Sequence, residues 1–476
     1  MSARRSRAGV VAAVAAALVA GCGGGGGGGG DAAIVDADTG SETPPFDAPP
    51  PVCLASAGVP CRECLIGPPR AASASQCTLA VCAVDPSCCD SGWDERCTEH
   101  ADALCDARCV DTVSFGGYDS ATWARWGGAG FVDPGELLLT DADGYVADVA
   151  WADYDGDGDA DLAAVSQCTL RVYRNDGWAA GELQLEPVFA GQPVTPCGYF
   201  SDGGSAFWDG RRVRWVDLDR DGDLDLLAAG ATGGYVSTLQ AGAFQPLVHV
   251  VDGTADGAGD LTDVAPWDLD DDGDLDLVAG YFDGDVAVIR RQNGAWVVDA
   301  AAAIARDGVT SLAFCDVTGD ARRELVVGGF GGDDVYRISN GSPGQGLWDL
   351  VGVDASVVAL ACADLDGDGK DEVVLADRYG EVLVVDADGA TLWSSADALD
   401  PTRTWEPWGI DAGDLDGDGD VDLVFSIDRN DPPEPFHVLW NTTAGGGAIT
   451  FTDLDAGDLD PDRDMRLAEL TWLGAP

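Results

Sequence analysis

The chain has 476 residues and a formal net charge of −58, because 84 Asp and Glu residues stand against 26 Lys and Arg residues. Such an excess of negative charge repels phosphate groups, so it excludes nucleic acid as a partner and limits membrane contact to an attached lipid. The three histidines lie far apart, and the sequence lacks nucleophile-elbow and phosphate-binding motifs, so we do not expect an enzyme.

Residues 1–21 combine a basic start with an apolar stretch too short to span a membrane, which is typical of a signal peptide. The stretch ends in VAGC, which resembles the lipobox of bacterial lipoproteins, with Cys22 as the lipidated residue. An ordinary signal peptide is the alternative. We therefore expect a bacterial cell-envelope protein, an outer-membrane lipoprotein that faces the periplasm or the cell surface. Residues 22–52, rich in glycine and proline, predict a flexible tether.

Residues 53–110 contain ten cysteines. An even number of cysteines at this density in an exported chain predicts a small disulfide-rich module, with zinc binding as the weaker alternative. The segment resembles a cysteine-rich module of exported bacterial proteins, and that resemblance implies no function.

An aspartate-rich nine-residue segment recurs through residues 111–476. Its seven copies, here named loops 1 to 7, begin at Asp153, Asp217, Asp268, Asp316, Asp364, Asp414 and Asp458. The copies are 44 to 64 residues apart, and a period near 50 is typical of a repeat architecture.

Loops 1, 2, 3, 5 and 6 have an acidic residue at positions 1, 3, 5 and 9 and a glycine at position 6, which permits a tight turn. Oxygen ligands in this number suit calcium, with the backbone carbonyl of position 7 completing the shell, so we expect about five structural Ca²⁺ ions. A solvated acidic turn is the alternative. The expected ligands are Asp153, Asp155, Asp157, Asp159 and Asp161; Asp217, Asp219, Asp221, Asp223 and Asp225; Asp268, Asp270, Asp272, Asp274 and Asp276; Asp364, Asp366, Asp368, Lys370 and Glu372; and Asp414, Asp416, Asp418, Asp420 and Asp422.

The segments around each loop predict β-hairpins rather than EF-hands. Position 12, where an EF-hand has a glutamate, is Ala164, Ala228, Ala279, Leu375 or Phe425. A short apolar run follows each loop, as expected of a buried strand. These units resemble the FG-GAP or VCBS-type repeats of integrin-alpha-like propellers. The resemblance covers roughly residues 140–470 and implies a calcium loop between the first two strands of each blade. A unit of about 50 residues has room for the four short strands of a blade, and seven copies indicate seven blades. We therefore expect residues 111–476 to form an all-β fold, a seven-bladed β-propeller. Six blades are the alternative.

Two copies depart from the pattern. Loop 4 keeps Asp316, Thr318, Asp320 and Glu324, but it has Ala321 in place of the turn glycine, so we expect a weak site. Loop 7 has Arg463 and Arg466 at the glycine and last-ligand positions, so we expect it to bind no metal. Because the residues after loop 7 suffice for one strand, we expect strands near 112–117 and 135–140 to complete the last blade.

Five aromatic residues and one arginine in two long connections are candidates for ligand contact, because loops on a rigid scaffold often bind ligands. They are Tyr199, Phe207, Trp208, Arg211, Trp405 and Trp408. The tryptophans of the first strands, Trp151, Trp215 and Trp267, are expected to pack between blades. We expect Cys168 and Cys197 to bridge, and Cys315 and Cys362 to stay apart because their offsets before their loops differ.

Together these features predict a calcium-binding, lipid-anchored cell-surface propeller that acts as an adhesion, recognition or scaffold module. Its expected partner is an unidentified protein or polysaccharide. The alternative is a carbohydrate-active enzyme, a polysaccharide lyase or hydrolase, on a calcium-bearing propeller.

Overall fold

The structure is a computed structural model of the chain. It describes residues 66–67, 76–84, 87–90, 93, 97–98, 101, 111–117, 120–126, 131–138, 146–166, 169–179, 182–190, 210–230, 233–252, 261–269, 274–282, 286–292, 294–299, 308–319, 323–329, 335–338, 347–349, 355–398, 407–427, 436–443, 447–455 and 468–471. Among these residues no helix has both the length and the apolar character needed to cross a membrane.

The described cysteine-rich residues form two short helices, α1 (Gln76–Val84) and α2 (Ser87–Asp90). Disulfides join Cys82 to Cys89 and Cys88 to Cys97. A small core gathers Cys77, Val81, Cys88, Trp93, Cys97 and Ala101, all of them buried. Half of this core is cysteine, so covalent bonds supply much of the cohesion that a larger apolar core supplies elsewhere.

The rest of the described chain is antiparallel β-sheet, beginning with β1 (Thr112–Gly116), β2 (Ser120–Trp126) and β3 (Phe131–Leu138). Six four-stranded sheets, blades 1 to 6, then follow in chain order. Their strands are β4 (Val146–Ala152), β5 (Asp161–Ser166), β6 (Leu170–Ala179) and β7 (Glu182–Ala190); β8 (Gly210–Val216), β9 (Asp225–Gly230), β10 (Gly233–Ser237) and, after the small hairpin β11 (Leu239–Gln240) and β12 (Ala243–Phe244), β13 (Val248–Asp252); β14 (Leu261–Trp267), β15 (Asp276–Tyr281), β16 (Val286–Gln292) and β17 (Ala295–Val298); β18 (Val309–Cys315), β19 (Glu324–Gly329), β20 (Val335–Ile338) and β21 (Leu347–Asp349); β22 (Val357–Ala363), β23 (Glu372–Asp377), β24 (Glu381–Val385) and β25 (Thr391–Ser394), with α3 (Ser395–Ala398) behind it; and β26 (Pro407–Gly413), β27 (Asp422–Ile427), β28 (Phe436–Asn441) and β29 (Phe451–Asp455).

A seventh four-stranded sheet, blade 7, combines three strands that precede blade 1 with one strand that follows blade 6. Strand β30 (Ala468–Thr471) pairs with β1, and the sheet continues through β2 to β3. The register places Thr112 opposite Thr471 and Phe115 opposite Ala468. The expected strands near 112–117 and 135–140 therefore do complete the last blade, and β2 supplies a further strand between them. The propeller thus has six blades from continuous segments and one composite blade.

Each blade packs on the next through its own apolar core, and the first strands of neighbouring blades are in contact. The second strands β5, β9, β15, β19 and β23 are buried along their whole length, because each is covered on both faces. Representative residues of the seven cores, from the junction of blades 1 and 2 round to that of blades 7 and 1, are Leu226, Leu277, Val309, Val357, Phe425, Phe436 and Trp151. Seven cores for seven sheets mean that the ring is closed.

The tryptophans of the first strands pack between blades, as predicted. Trp151 is 2% exposed and its Nε1 donates to Ser114 Oγ at 3.1 Å. Trp215 donates from Nε1 to Ala150 O of the preceding blade at 3.0 Å. Trp267 stacks on Phe314 of the following blade. These side chains therefore join blades to one another and are accounted for by packing.

The prediction for Cys315 and Cys362 was wrong, because the two residues form a disulfide with a Cα–Cα distance of 5.6 Å. Their offsets before loops 4 and 5 differ by one, which does place them on opposite faces of their own strands. However, the two strands belong to neighbouring blades that pack face to face. The face of one strand that carries Cys315 therefore contacts the face of the other that carries Cys362. Cys168 and Cys197 lie outside the described residues.

Candidate metal centres

Loops 1, 2, 5 and 6 share one backbone conformation, and each links the first two strands of a blade. The position-6 glycines, Gly158, Gly222, Gly369 and Gly419, have φ values of 87° to 102°. Only glycine adopts such values without steric cost. In each loop this glycine donates its N–H to a carboxylate oxygen of position 1, at 2.8 to 3.1 Å. The turn therefore wraps the backbone around the first aspartate.

Three carboxylates converge in each of these four loops, those of positions 1, 3 and 9. One oxygen from each lies within 4.8 Å of the other two, a spacing that one metal ion can bridge. The groups are Asp153, Asp155 and Asp161; Asp217, Asp219 and Asp225; Asp364, Asp366 and Glu372; and Asp414, Asp416 and Asp422.

The fifth-position carboxylates, Asp157, Asp221, Asp368 and Asp418, are not part of these groups. In three loops this carboxylate instead accepts the N–H of the residue two positions later, as Asp157 does from Asp159 at 3.0 Å. In loop 5 Asp368 lies 3.5 Å from the ammonium of Lys370. The structure therefore brings together three of the four predicted carboxylates of each site. The side chains of the position-7 residues lie outside the groups as well, which fits their predicted use of the backbone carbonyl alone.

The ninth-position carboxylate fastens each loop to its blade. One oxygen accepts the N–H of the loop's second residue, at 3.1 Å from Tyr154 and Leu218, 2.8 Å from Leu365 and 3.0 Å from Leu415. The other oxygen, in loops 1, 2 and 6, accepts a backbone N–H from a residue within, just after or at the end of the third strand, that of Asn175, Leu239 or Asn441 respectively. A carboxylate oxygen has two lone pairs, so each keeps one for a metal ion.

Burial makes these carboxyl groups hard to ionise without a nearby cation. It raises the pKa of Asp161 to about 9, that of Asp422 to about 8 and that of Asp225 to about 7, and neighbouring carboxylates add to the rise. Burial likewise raises the pKa of Glu372 to about 7 and that of Asp217 to about 6. A divalent cation bound by the three carboxylates would reverse these shifts, because it stabilises the ionised forms.

Two buried oxygens of loop 2 give a direct test of whether a cation fits. Asp217 is 7% exposed, and its Oδ1 has no hydrogen-bond partner among the described residues. The Oδ1 of Asp219 is also buried without one. Leaving such atoms unsatisfied is costly, whereas a cation between them would satisfy both. The residues of loop 2 therefore fit a bound calcium ion.

Loops 3 and 4 are built differently. In loop 3 the described ligands are Asp268, Asp274 and Asp276, while Asp270 and Asp272 lie outside the described residues; Asp276 pairs with an arginine. In loop 4 Asp316 Oδ1 accepts the N–H of Gly319 at 2.7 Å, and Thr318 lies 3.3 Å from Glu324. Asp320 lies outside the described residues, as does the whole of loop 7.

Three features of the sites were not predicted from the sequence. Position 4 has a positive φ in every one of the four loops, and in loop 2 a non-glycine residue, Arg220, has a φ of 60°. Asn441 Nδ2 donates to Leu365 O, which ties loop 5 to the neighbouring blade. The N–H of Asp153 donates to Ile66 O of the cysteine-rich region at 2.8 Å. Of these three features, the motif itself indicated only the positive φ, through the glycine at position 4 of loops 1, 5 and 6.

The side chains of the six candidates for ligand contact all lie outside the described part of the chain. Tyr199, Phe207, Trp208 and Trp405 lie outside the described residues, and so do the side chains of Arg211 and Trp408, although β8 and β26 include their backbones. Their role stays a prediction.

Comparisons with known families support the repeats. Residues 153–228, 316–375 and 364–425 match a family described as FG-GAP-like repeat. These segments contain loops 1, 2, 4, 5 and 6, whereas loop 3 lies outside them. The chain therefore carries FG-GAP-like repeats within a β-propeller. Residues 60–109 match a domain of unknown function (DUF8252).

Several solved structures resemble the chain. One is a structure on the recognition of non-reducing terminal N-acetylglucosamine by an Agrocybe aegerita lectin, 20% identical, covering 73% of this chain and 90% of that one, with a TM-score of 0.47. Two others are BBS1N in complex with ARL6DN, soaked with mercury or lead. They are 13% and 14% identical and cover 70% of this chain and 93% and 94% of theirs, with TM-scores of 0.42 and 0.40. The comparison with curated proteins finds no match.

Proposed function

We propose that the propeller is a calcium-stabilised recognition or scaffold domain, held at the bacterial envelope by a lipid on Cys22. Calcium in loops 1, 2, 5 and 6 is structural in this proposal. The observation that carries it is the convergence of three carboxylates in each of these loops, next to a ring whose blades pack through buried apolar cores.

The donor set favours calcium over magnesium and over softer metals. Every converging side chain is a carboxylate, a hard oxygen ligand, and calcium accepts six to eight oxygens in flexible geometry, roughly 2.3–2.6 Å away. Magnesium demands a nearly ideal octahedron, to which a loop of mixed carboxylates and carbonyls adapts poorly. When bound, calcium would supply the positive charge that the buried carboxylates need. The chain's own part is to hold positions 1 and 9 in place through backbone N–H groups.

A recognition role is supported by the closed ring of blades. A closed propeller is a rigid scaffold, and the segments between its strands are where ligands of such scaffolds dock. The net charge of −58 repels nucleic acid, so a protein or a polysaccharide is the better candidate for a partner.

The test is a thermal melt of the full chain with calcium, with excess chelator, and with magnesium after chelation. We expect chelation to lower the Tm strongly and calcium, but not magnesium, to restore it, because ligands that bind only the folded state stabilise it. Recognition is tested by electrophoresis of the same samples in gels that contain an acidic or a neutral polysaccharide. We expect the polysaccharide to slow the migration of the protein when calcium is present. An unchanged Tm would reject the structural calcium sites, and migration unaffected by every polysaccharide would leave a protein as the partner.

A further inference from the structure

Loop 3 differs from loops 1, 2, 5 and 6 in the partner of its ninth residue. Arg290, in β16, donates from Nη1 to Asp276 Oδ2 at 2.9 Å. The side chain of Arg290 is 11% exposed and that of Asp276 is 1% exposed. Because both groups are largely shielded from water, salt and solvent screen their attraction much less than that of a surface pair.

Arg290 contacts one of the two Asp276 oxygens that a metal ion could use. In loops 1, 2, 5 and 6 the corresponding oxygen accepts the N–H of the loop's second residue and keeps one lone pair. In loop 3 the N–H of Leu269 donates to Asp276 Oδ2 at 3.3 Å, and Arg290 takes the second lone pair. The other oxygen, Oδ1, accepts the N–H of Arg291 at 2.8 Å. Asp276 Oδ2 therefore has no lone pair left for a metal ion, and Oδ1 keeps one. Arg290 thus occupies one of the two oxygens and places a positive charge where a cation would otherwise neutralise the carboxylate.

Blade 1 provides an internal comparison, because Arg174 holds the position that corresponds to Arg290. Arg174 precedes Asn175, whose N–H donates to Asp161 as that of Arg291 does to Asp276. Yet the guanidinium of Arg174 turns outward, to Asp176 at 2.8 Å and to Glu186 at 2.7 Å. Arg290 has a more distant second carboxylate, that of Asp299 at 3.6 Å. The two arginines thus differ in the carboxylates that hold them: Arg174 pairs with Asp176 and Glu186, and Arg290 pairs with the ninth residue of its loop.

We propose that Arg290 is a tethered cation that takes the place of calcium in loop 3. Loop 3 is then held without an ion, whereas loops 1, 2, 5 and 6 each bind one; the inference rests on the proposed function of those four loops. A guanidinium stays charged at every pH at which proteins are stable, so this replacement does not depend on pH or on the calcium supply. The neighbouring Arg291 donates from its guanidinium to Leu218 O in loop 2, so the end of β16 holds both loops.

Calcium stoichiometry of the full chain, measured by equilibrium dialysis with metal analysis, tests the inference. Arg290→Gln removes the charge but keeps a side chain of similar reach, and Arg174→Gln is the matched control in blade 1. We expect Arg290→Gln to bind about one more calcium ion per chain than the wild type, because the competing positive charge is gone and Asp276 Oδ2 becomes available as a ligand. Arg174→Gln should leave the stoichiometry unchanged.

Asp276→Asn in the wild-type background is the second variant, and it should not change the calcium count. Loss of one ion from this variant, or no gain in Arg290→Gln, overturns the inference. If Arg290→Gln does not fold, Asp276→Asn alone decides. If the wild type binds no calcium at all, the proposed function is wrong. The role of Arg290 is then tested by thermal melting without calcium. A Tm lower in Arg290→Gln than in Arg174→Gln supports that role, and equal Tm values reject it.

Discussion

Buried carboxyl groups make the calcium-free loops sensitive to pH. The pKa of Asp161 is raised to about 9, that of Asp422 to about 8 and that of Glu372 to about 7, in each case mainly by burial. Between about pH 4 and those values the folded chain binds protons that the unfolded chain has released, so the free energy of unfolding falls as pH rises. We expect the calcium-free protein to melt at a lower temperature at about pH 8 than at about pH 5.

Calcium should remove this dependence, because it holds the same carboxylates in their ionised form. The measurement is calorimetry of calcium-stripped and calcium-loaded protein over this pH range. The gap between the two Tm values is expected to widen as the pH rises, and Asp161→Asn should narrow it. A calcium-free Tm that increases with pH would contradict the assignment of the raised pKa values.

At the residue scale the sequence predicted that the side chains of positions 1, 3, 5 and 9 converge, and the structure gathers those of positions 1, 3 and 9 in loops 1, 2, 5 and 6. How the loop holds them was not predicted. Acidic residues at positions 1, 3 and 9 follow from the spacing alone. The pairing of Asp276 with Arg290 could not be predicted, because the arginine comes from a third strand outside the nine-residue motif. The positive φ of Arg220 was equally hidden, since nothing in the residue type favours that conformation.

At the scale of the elements, the junction of blades 4 and 5 is held by a disulfide and by hydrogen bonds between two loops. The disulfide Cys315–Cys362 links β18 to β22. Beside it, Asp371 Oδ2 accepts the N–H of Asp316 at 2.7 Å, and the N–H of Asp371 donates to Asp316 O at 3.0 Å. Asp371 is at position 8 of loop 5, where the other complete loops have Ala160, Leu224, Leu275 and Val421. Loop 4, which lacks the turn glycine, is therefore bound directly to loop 5.

Removing the disulfide should weaken this junction measurably. Its cysteines are 47 residues apart in sequence, and for a loop of that length the chain-entropy estimate is about 3–4 kcal/mol of stability. We expect the double variant Cys315→Ala, Cys362→Ala to lower the Tm of the propeller by several degrees. The double variant Cys82→Ala, Cys89→Ala, which removes a disulfide of the cysteine-rich region, is the control and should leave that transition in place. Equal effects of the two double variants would show that the junction does not limit stability.

At the scale of the whole molecule, the repeats predicted the propeller well because each hairpin repeats one local pattern. The loop, the apolar run after it and the spacing of the copies were enough to place the first two strands of each blade. The outer strands were harder to predict, since β17 (Ala295–Val298) is mostly exposed and carries no alternation of buried and exposed residues. The contact between Ile66 and loop 1 joins distant parts of the chain, and no local pattern indicates it.

Ring closure should make blade 7 essential to the whole propeller. Phe115 of β1 is 1% exposed, and its ring lies 4.6 Å from that of Phe436 in the core between blades 6 and 7. The N–H of Leu470 in β30 also donates to Asp411 Oδ2 of blade 6 at 2.6 Å. Phe115→Ala should therefore cost about 3–5 kcal/mol, as large-to-small substitutions of buried phenylalanine do.

Calorimetry distinguishes a closed ring from a ring with an attached sheet. In a closed ring, loosening blade 7 exposes the edges of its neighbours, so Phe115→Ala should lower the Tm of a single transition that involves every blade. Val298→Ala in the outermost strand of blade 3, at a residue 63% exposed, is the control and should have little effect. If Phe115→Ala instead produced a small separate transition and left the main one unchanged, blade 7 would be an appendage, and the other six blades would have to be stable without it.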